Sequence, residues 1–213
     1  MSEPEDLFTE NIIQKTAEAL VSNYFDARVF SDRKGLISAV MEHVTPGTAI
    51  GIGGSLTVRG IGLMEELAKQ KIQVLDHWKG GISQEEISSI RLGQLTCDLF
   101  LTSANAITEK GDIVNTDGFG NRINAMTFGP KKVIIIAGFN KIVPDVDGAL
   151  KRIREIAAPF NAKMLNLPLP CAETGYCHDC KSELRICRIT SIMQRKPGGT
   201  DISVYLINEK LGL

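Results

Sequence analysis

TAIGIGGSLTVRGIGLMEELAKQ, residues 48–70, passes from a short apolar run into glycines and then into helix formers. That is the pattern of a strand, a tight loop and a helix. Downstream the pattern repeats. KIQVLDH (71–77) reads as a second strand, and SQEEISSIRLGQL (83–95) as a helix whose cap, Ser83, precedes Glu85 and Glu86. DLFLTSANAITEKGDIVN (98–115) predicts a buried strand, a polar stretch and a hairpin turning at residues 109–112. PKKVIIIAG (130–138) is the most strand-like segment, and PDVDGALKRIREIAAPF (144–160) sets Val146, Leu150, Ile153 and Ile156 on one side of an amphipathic helix.

Upstream, apolar residues recur at helical spacing over residues 10–29, and Ser31 is placed to cap a second helix running to about His43. Toward the end, residues 166–175 break the alternation; a helix over about residues 182–194, a GGT turn at 198–200 and a closing strand, ISVYLIN, are expected after them. Strands alternating with helices imply an α/β fold with a mostly parallel sheet and helices on both faces. The whole chain, 1–213, reads as one domain: N-terminal helices over 1–45, a sheet-forming body over 46–165, a cysteine-bearing segment over 166–197 and the closing strand over 198–213.

With 213 residues and 43% hydrophobic content the chain builds an ordinary core and needs no covalent staple. A formal net charge of −1 gives no global attraction to nucleic acid or an anionic membrane. The N-terminus is acidic and no apolar run approaches 18 residues, so neither a secretory signal nor a membrane span is expected. The expected compartment is the cytoplasm, where thiols stay reduced.

Between strand and helix, GIGGSLT offers an anion-binding loop. Gly51, Gly53 and Gly54 let backbone N–H groups approach a phosphate or carboxylate, with the Ser55 and Thr57 hydroxyls as added donors. Leu56 stands where a dinucleotide fingerprint requires glycine, and no Gly-Lys-Ser/Thr follows, so it is neither a Rossmann nor a P-loop motif. A plain βα turn without ligand is the competing reading. A second polar group, SANAITEKGDIVNTDGFGNR (103–122), follows a strand that ends at the carboxyl edge of the sheet, where open α/β sheets bind ligands. It supplies Asn105, Thr108, Asn115, Asp117, Asn121 and Arg122 as candidate ligand contacts, and Glu109 and Asp112 as a candidate acid–base pair. The same residue types also make ordinary turns.

Four of the five cysteines, Cys171, Cys177, Cys180 and Cys187, fall within CAETGYCHDCKSELRIC. The spacing C-x5-C-x2-C-x6-C contains one C-x-x-C knuckle and matches neither a zinc ribbon nor a ferredoxin. Four thiolates suit zinc or an iron–sulfur cluster; a redox-active Cys177–Cys180 pair and reduced structural thiols are the alternatives. Lys181, Arg185 and Arg188 nearby are expected to lower the thiol pKa values.

In GIGGSLTVRGIGLMEEL, in TSANAITEKGDIVNTDGFGNR followed by PKKVIIIAGFNKIV, and in PCAETGYCHDCKSELRICRI, the sequence resembles stand-alone members of the lactate-utilisation (LUD) domain family. The resemblance runs from about Pro46 to the end. It implies the α/β fold of the glucosamine-phosphate deaminase, ribose-phosphate isomerase and CoA-transferase superfamily, with GIGGSLT in the position of the isomerases' phosphate loop. It further implies an accessory or redox protein of bacterial lactate-type organic-acid utilisation, binding a small anionic ligand and working beside iron–sulfur oxidoreductase subunits. Among the metals it favours a [4Fe–4S] cluster over zinc. Glu109 is the counterpart it offers for a CoA-transferase glutamate. The alternative function is an enzyme of sugar-phosphate or acyl-CoA chemistry with structural cysteines, using Glu109 or Asp112.

Overall fold

The computed structural model describes residues 4–213. Its main sheet has six strands, β1 (Asp26–Phe30), β2 (Ala49–Ile52), β3 (Gln73–Asp76), β4 (Leu99–Thr102), β7 (Lys132–Gly138) and β10 (Asp201–Ile207). They lie in the order β1-β10-β7-β4-β2-β3, and every pairing is parallel. Alternate residues of β7 show why both faces are covered. Val133, Ile135 and Ala137 join a core with Ile13, Leu20 and Phe100, while Ile134 and Ile136 join a second core with Leu36, Val40 and Leu67. A strand buried on both faces reads as a continuous apolar run, as VIIIA does.

The first core is capped by α1 (Pro4–Ser22), and the second by α2 (Arg33–Met41), α3 (Leu56–Gly60) and α4 (Leu63–Ala68). The single helix expected after the glycine loop is therefore two short ones, parted at Gly62, whose φ of 87° is left-handed. The helix α5 (Gln84–Gln94) follows the sequence reading closely: Ser83 Oγ accepts from Glu86 N–H, and the Glu86 carboxylate accepts from Ser83 N–H. These two bonds close a capping box.

A second, four-stranded sheet is ordered β8-β5-β6-β9, from β5 (Ala106–Thr108), β6 (Ile113–Asp117), β8 (Ile142–Val143) and β9 (Ile189–Met193). Strands β5 and β6 are the expected hairpin. Helix α6 (Asn121–Thr127) follows it, and α7 (Val146–Arg152), a π-helical stretch at Ile153–Ala157 and α8 (Ala158–Met164) form one continuous helix. A short helix α9 (Pro170–Thr174) opens the cysteine segment.

Two sequence expectations need correction. Residues 26–30 are not the end of the first helix but edge strand β1, paired with β10; Asp32, not Ser31, caps the helix that follows. The helix expected over residues 182–194 does not form. Its first half is irregular and its second half is β9, held antiparallel against β6. Pairing with an available strand outweighs the local helical pattern there.

Candidate functional site

The loops after β2, β3, β4 and β7 meet at the carboxyl edge of the main sheet around a cleft of about 200 Å³. From β2 the chain steps to β3 on one side, whereas β4 and β7 lie on the other, which makes this the switch point of the sheet.

The glycine loop forms one wall. Gly54 has a φ of 64°, and a Cβ there would stand 3.1 Å from His77 Nε2 and 3.1 Å from the Trp78 ring, so only glycine admits this close approach. Ser55 Oγ accepts from Val58 N–H as the cap of α3. Gly51 lies beneath the loop, against Phe100 and Cys97, and does not reach the cleft.

The β4–β6 segment forms the floor. Asn105 N–H donates to Asn115 Oδ1, while Asn105 Oδ1 accepts from Thr116 N–H and from Arg122 Nη2. Asp117 takes Arg122 Nη2 on Oδ1 at 2.5 Å and Ile123 N–H on Oδ2 at 2.9 Å, which ties the start of α6 to the strand. Asn105, Asp117, Asn121 and Arg122 thus line the cleft, and Asn115 supports them from below. Thr108, Glu109 and Asp112 stand elsewhere. Thr108 Oγ1 donates to Asp112 Oδ2 inside the hairpin turn, and Glu109 pairs with Lys15 at 2.9 Å.

Four residues that no motif flagged complete the site. Lys141, 4% exposed, enters from the turn after β7; its Nζ donates to Thr57 Oγ1 at 2.9 Å, Ser103 Oγ at 2.8 Å and Ala104 O at 3.1 Å. Burial, then the charges of Arg152 and Arg122, push its pKa down to about 7. Arg152 sits behind it, spending its donors on the carbonyls of Asn140 and Asn105. Arg91 reaches the cleft from α5 and covers the Phe119 ring at 4.1 Å.

His77 is the fourth. Gln94 Nε2 donates to Ile52 O and Leu75 O, which fixes the amide orientation, and stands 3.0 Å from His77 Nδ1. Burial, then Arg91, lower the His77 pKa and favour the neutral ring.

The signal available in the sequence for Lys141 was its place directly after the strongest strand, since the carboxyl-edge rule applies to β7 as well as to β4. The opposite wall is the widened helix, where Ile153 and Ala157 face the cleft from the π-helical stretch. Such bulges recur at functional sites.

The sequence profile of the LUD domain matches residues 13–207. This chain belongs to the LUD domain family. Among solved structures, the LUD domain is similar to a DUF162 family protein from Deinococcus radiodurans, with a TM-score of 0.52 and 11% identity over 93% of this chain and 98% of that one. That likeness concerns the fold. A structure of eIF2B beta from Chaetomium thermophilum aligns at a TM-score of 0.39 and 14% identity over 54% of this chain and 44% of that one. No curated protein matches this chain in sequence.

In this LUD domain Cys171 lies in α9, and Cys177, Cys180 and Cys187 in the irregular loop after it; all four are half-buried free thiols. Cys187 lines the cleft and, with Cys177, a neighbouring groove of about 510 Å³. Burial and then the nearby Cys180, Cys187 and Cys177 push the Cys171 thiol up, opposite to the lowering expected from Lys181, Arg185 and Arg188. Arg185 is turned away to the carbonyls of Cys180 and Cys187 and to Asp179. The four soft donors fit a thiophilic metal in kind and lie close enough to feel one another's charge. Among the described residues, however, no three His, Cys, Asp or Glu groups are gathered as metal ligands. Nor, among them, is any helix long and apolar enough to cross a membrane.

Proposed function

We propose that this LUD domain binds a compact organic-acid anion in the sheet-edge cleft, as an accessory component of lactate-type organic-acid utilisation. The observation that carries the reading is the charge of the lining. Among the described residues that line the cleft, Arg91, Arg122 and Lys141 face a single side-chain carboxylate, Asp117, which is already bound to Arg122 and to Ile123 N–H. Arg91 and Lys141 have no side-chain carboxylate partner among the described residues, and cationic groups so placed in a partly dehydrated cleft favour an anion. At about 200 Å³ the space is smaller than the roughly 300–1,000 Å³ of drug-sized sites, which favours a hydroxy or oxo acid, or a small phosphosugar, over a nucleotide or a CoA ester. The acyl-CoA alternative, with Glu109 or Asp112 as catalytic carboxylate, draws no support from residues placed in the hairpin turn outside the cleft.

The cysteine segment carries the second half of the proposal. Cys171, Cys177, Cys180 and Cys187 would hold a [4Fe–4S] cluster or zinc, the loop closing on it as the metal binds. A cluster supplies one-electron transfer, and iron–sulfur oxidoreductase subunits are the partners this calls for.

Calorimetric titration with lactate, pyruvate and a phosphosugar tests the anion site. Saturable binding to at least one of them is expected, weakened about tenfold by Arg91→Gln, equivalent to about 1.4 kcal/mol. Absence of heat with all three sinks the reading.

A further inference from the structure

Lys141 is placed for more than holding charge. Its Nζ is surrounded by two hydroxyls and a carbonyl, it has no carboxylate partner among the described residues, and Arg122 and Arg152 oppose its positive charge from nearby. A lysine that is desolvated beside other cations is the arrangement that frees an amine for nucleophilic attack. The groups needed by such an amine are also in place. Arg91 and Arg122 line the same cleft and can hold an anionic group, while the Thr57 and Ser103 hydroxyls, at 2.9 and 2.8 Å from Nζ, can pass protons to and from the reacting atoms.

We propose that Lys141 forms an imine with a small aldehyde or ketone that carries a carboxylate or phosphate. The inference rests on the anion-site reading above and adds a covalent step to it. The Nζ lone pair adds to the carbonyl carbon, a C–N bond forms, and the carbonyl π pair moves to oxygen, which takes up the proton that the nitrogen gives up. A second proton reaches that oxygen, the C–O bond breaks and water leaves. Amine, carbonyl compound and one proton thus give a protonated imine and one water, with no oxidant or reductant consumed. Neutral free amine is well populated near pH 7, since burial, Arg152 and Arg122 bring the ammonium down to about 7.

The test incubates the full chain with sodium cyanoborohydride and either pyruvate or dihydroxyacetone phosphate, followed by intact mass and peptide mapping. One reduced adduct per chain, mapped to Lys141, is expected with at least one of the two, and the responsive compound identifies the anionic group. Lys141→Arg keeps a cation at this position and should lose the adduct; if that variant fails to fold, the wild-type peptide map still decides. Calorimetric binding without an adduct overturns the imine and leaves the anion site standing. Neither binding nor adduct overturns both. Adducts scattered over surface lysines such as Lys69 and Lys131 also overturn the imine.

Discussion

Around the cleft the polar side chains sit in fixed relations: Asn105 bridges Thr116 and Arg122, Asp117 bridges Arg122 and α6, and Gln94 bridges the ends of β2 and β3 beside His77. Along residues 175–188 the backbone has no regular structure, and the thiols are half-buried without being gathered. The first region is organised before its ligand arrives, so little ordering entropy is spent on binding. The second would have to contract around a metal, and part of the binding free energy would go into that ordering. Both belong to one chain and share Cys187, yet they respond differently to perturbation.

The largest effect is expected beneath the cleft. Phe100 is fully buried on β4, and its ring lies where Cβ atoms at Gly51 and Gly53 would touch it at 2.9 Å, so it supports the glycine loop from below. Phe100→Ala should lower stability by about 3–5 kcal/mol, as for a large aromatic deleted from a core. Chemical denaturation checks this, and a loss below 1 kcal/mol would mean that the cleft is not founded on the core.

The next effect is a pH dependence. The Lys141 pKa is about 7 in the fold against the ordinary 10.5, so between these values the unfolded chain binds more protons than the folded one. Stability attributable to this group is therefore fully present above pH 10.5 and is lost as pH falls toward 7. Thermal melts of wild type and Lys141→Met should diverge over this window, the wild type gaining on the variant as pH rises. Parallel curves would show that Lys141 is well solvated after all.

The smallest effect is expected at the thiols. Changing Cys171, Cys177, Cys180 and Cys187 together to serine should alter the stability of the metal-free chain by no more than about 1 kcal/mol, since the sites lie outside the packed core. In anaerobically prepared protein the variant should instead lack the iron, or zinc, that elemental analysis finds in wild type. A large loss of stability in the metal-free chain would erase the contrast between the two regions.

What the sequence revealed follows the range of the forces involved. The glycine loop, the hairpin at 109–112, the capped α5 and the strand VIIIA rest on local patterns and were legible. Strand β1 was not, because DARVF is short and mostly exposed, and its partner β10 lies at the other end of the chain. The segment 182–194 misled because its apolar spacing allows a helix, while the unpaired edge of β6 made a strand the better bond. Arg122, Asp117 and Asn105 could be found because the polar run after β4 is conspicuous. For Lys141 the signal is only its place after β7, because its hydrogen-bond partners Thr57 and Ser103 lie far away in the chain.

One backbone hydrogen bond joins the two regions. Arg188 N–H, the residue after Cys187, donates to Asp117 O at 2.9 Å, and β9 begins at the next residue. Closure of the cysteine loop must either preserve this bond, and so pivot about it, or break it and loosen the residue that anchors Arg122. In the second case occupancy of the thiols and affinity for the anion become thermodynamically linked, each changing the other by the same factor.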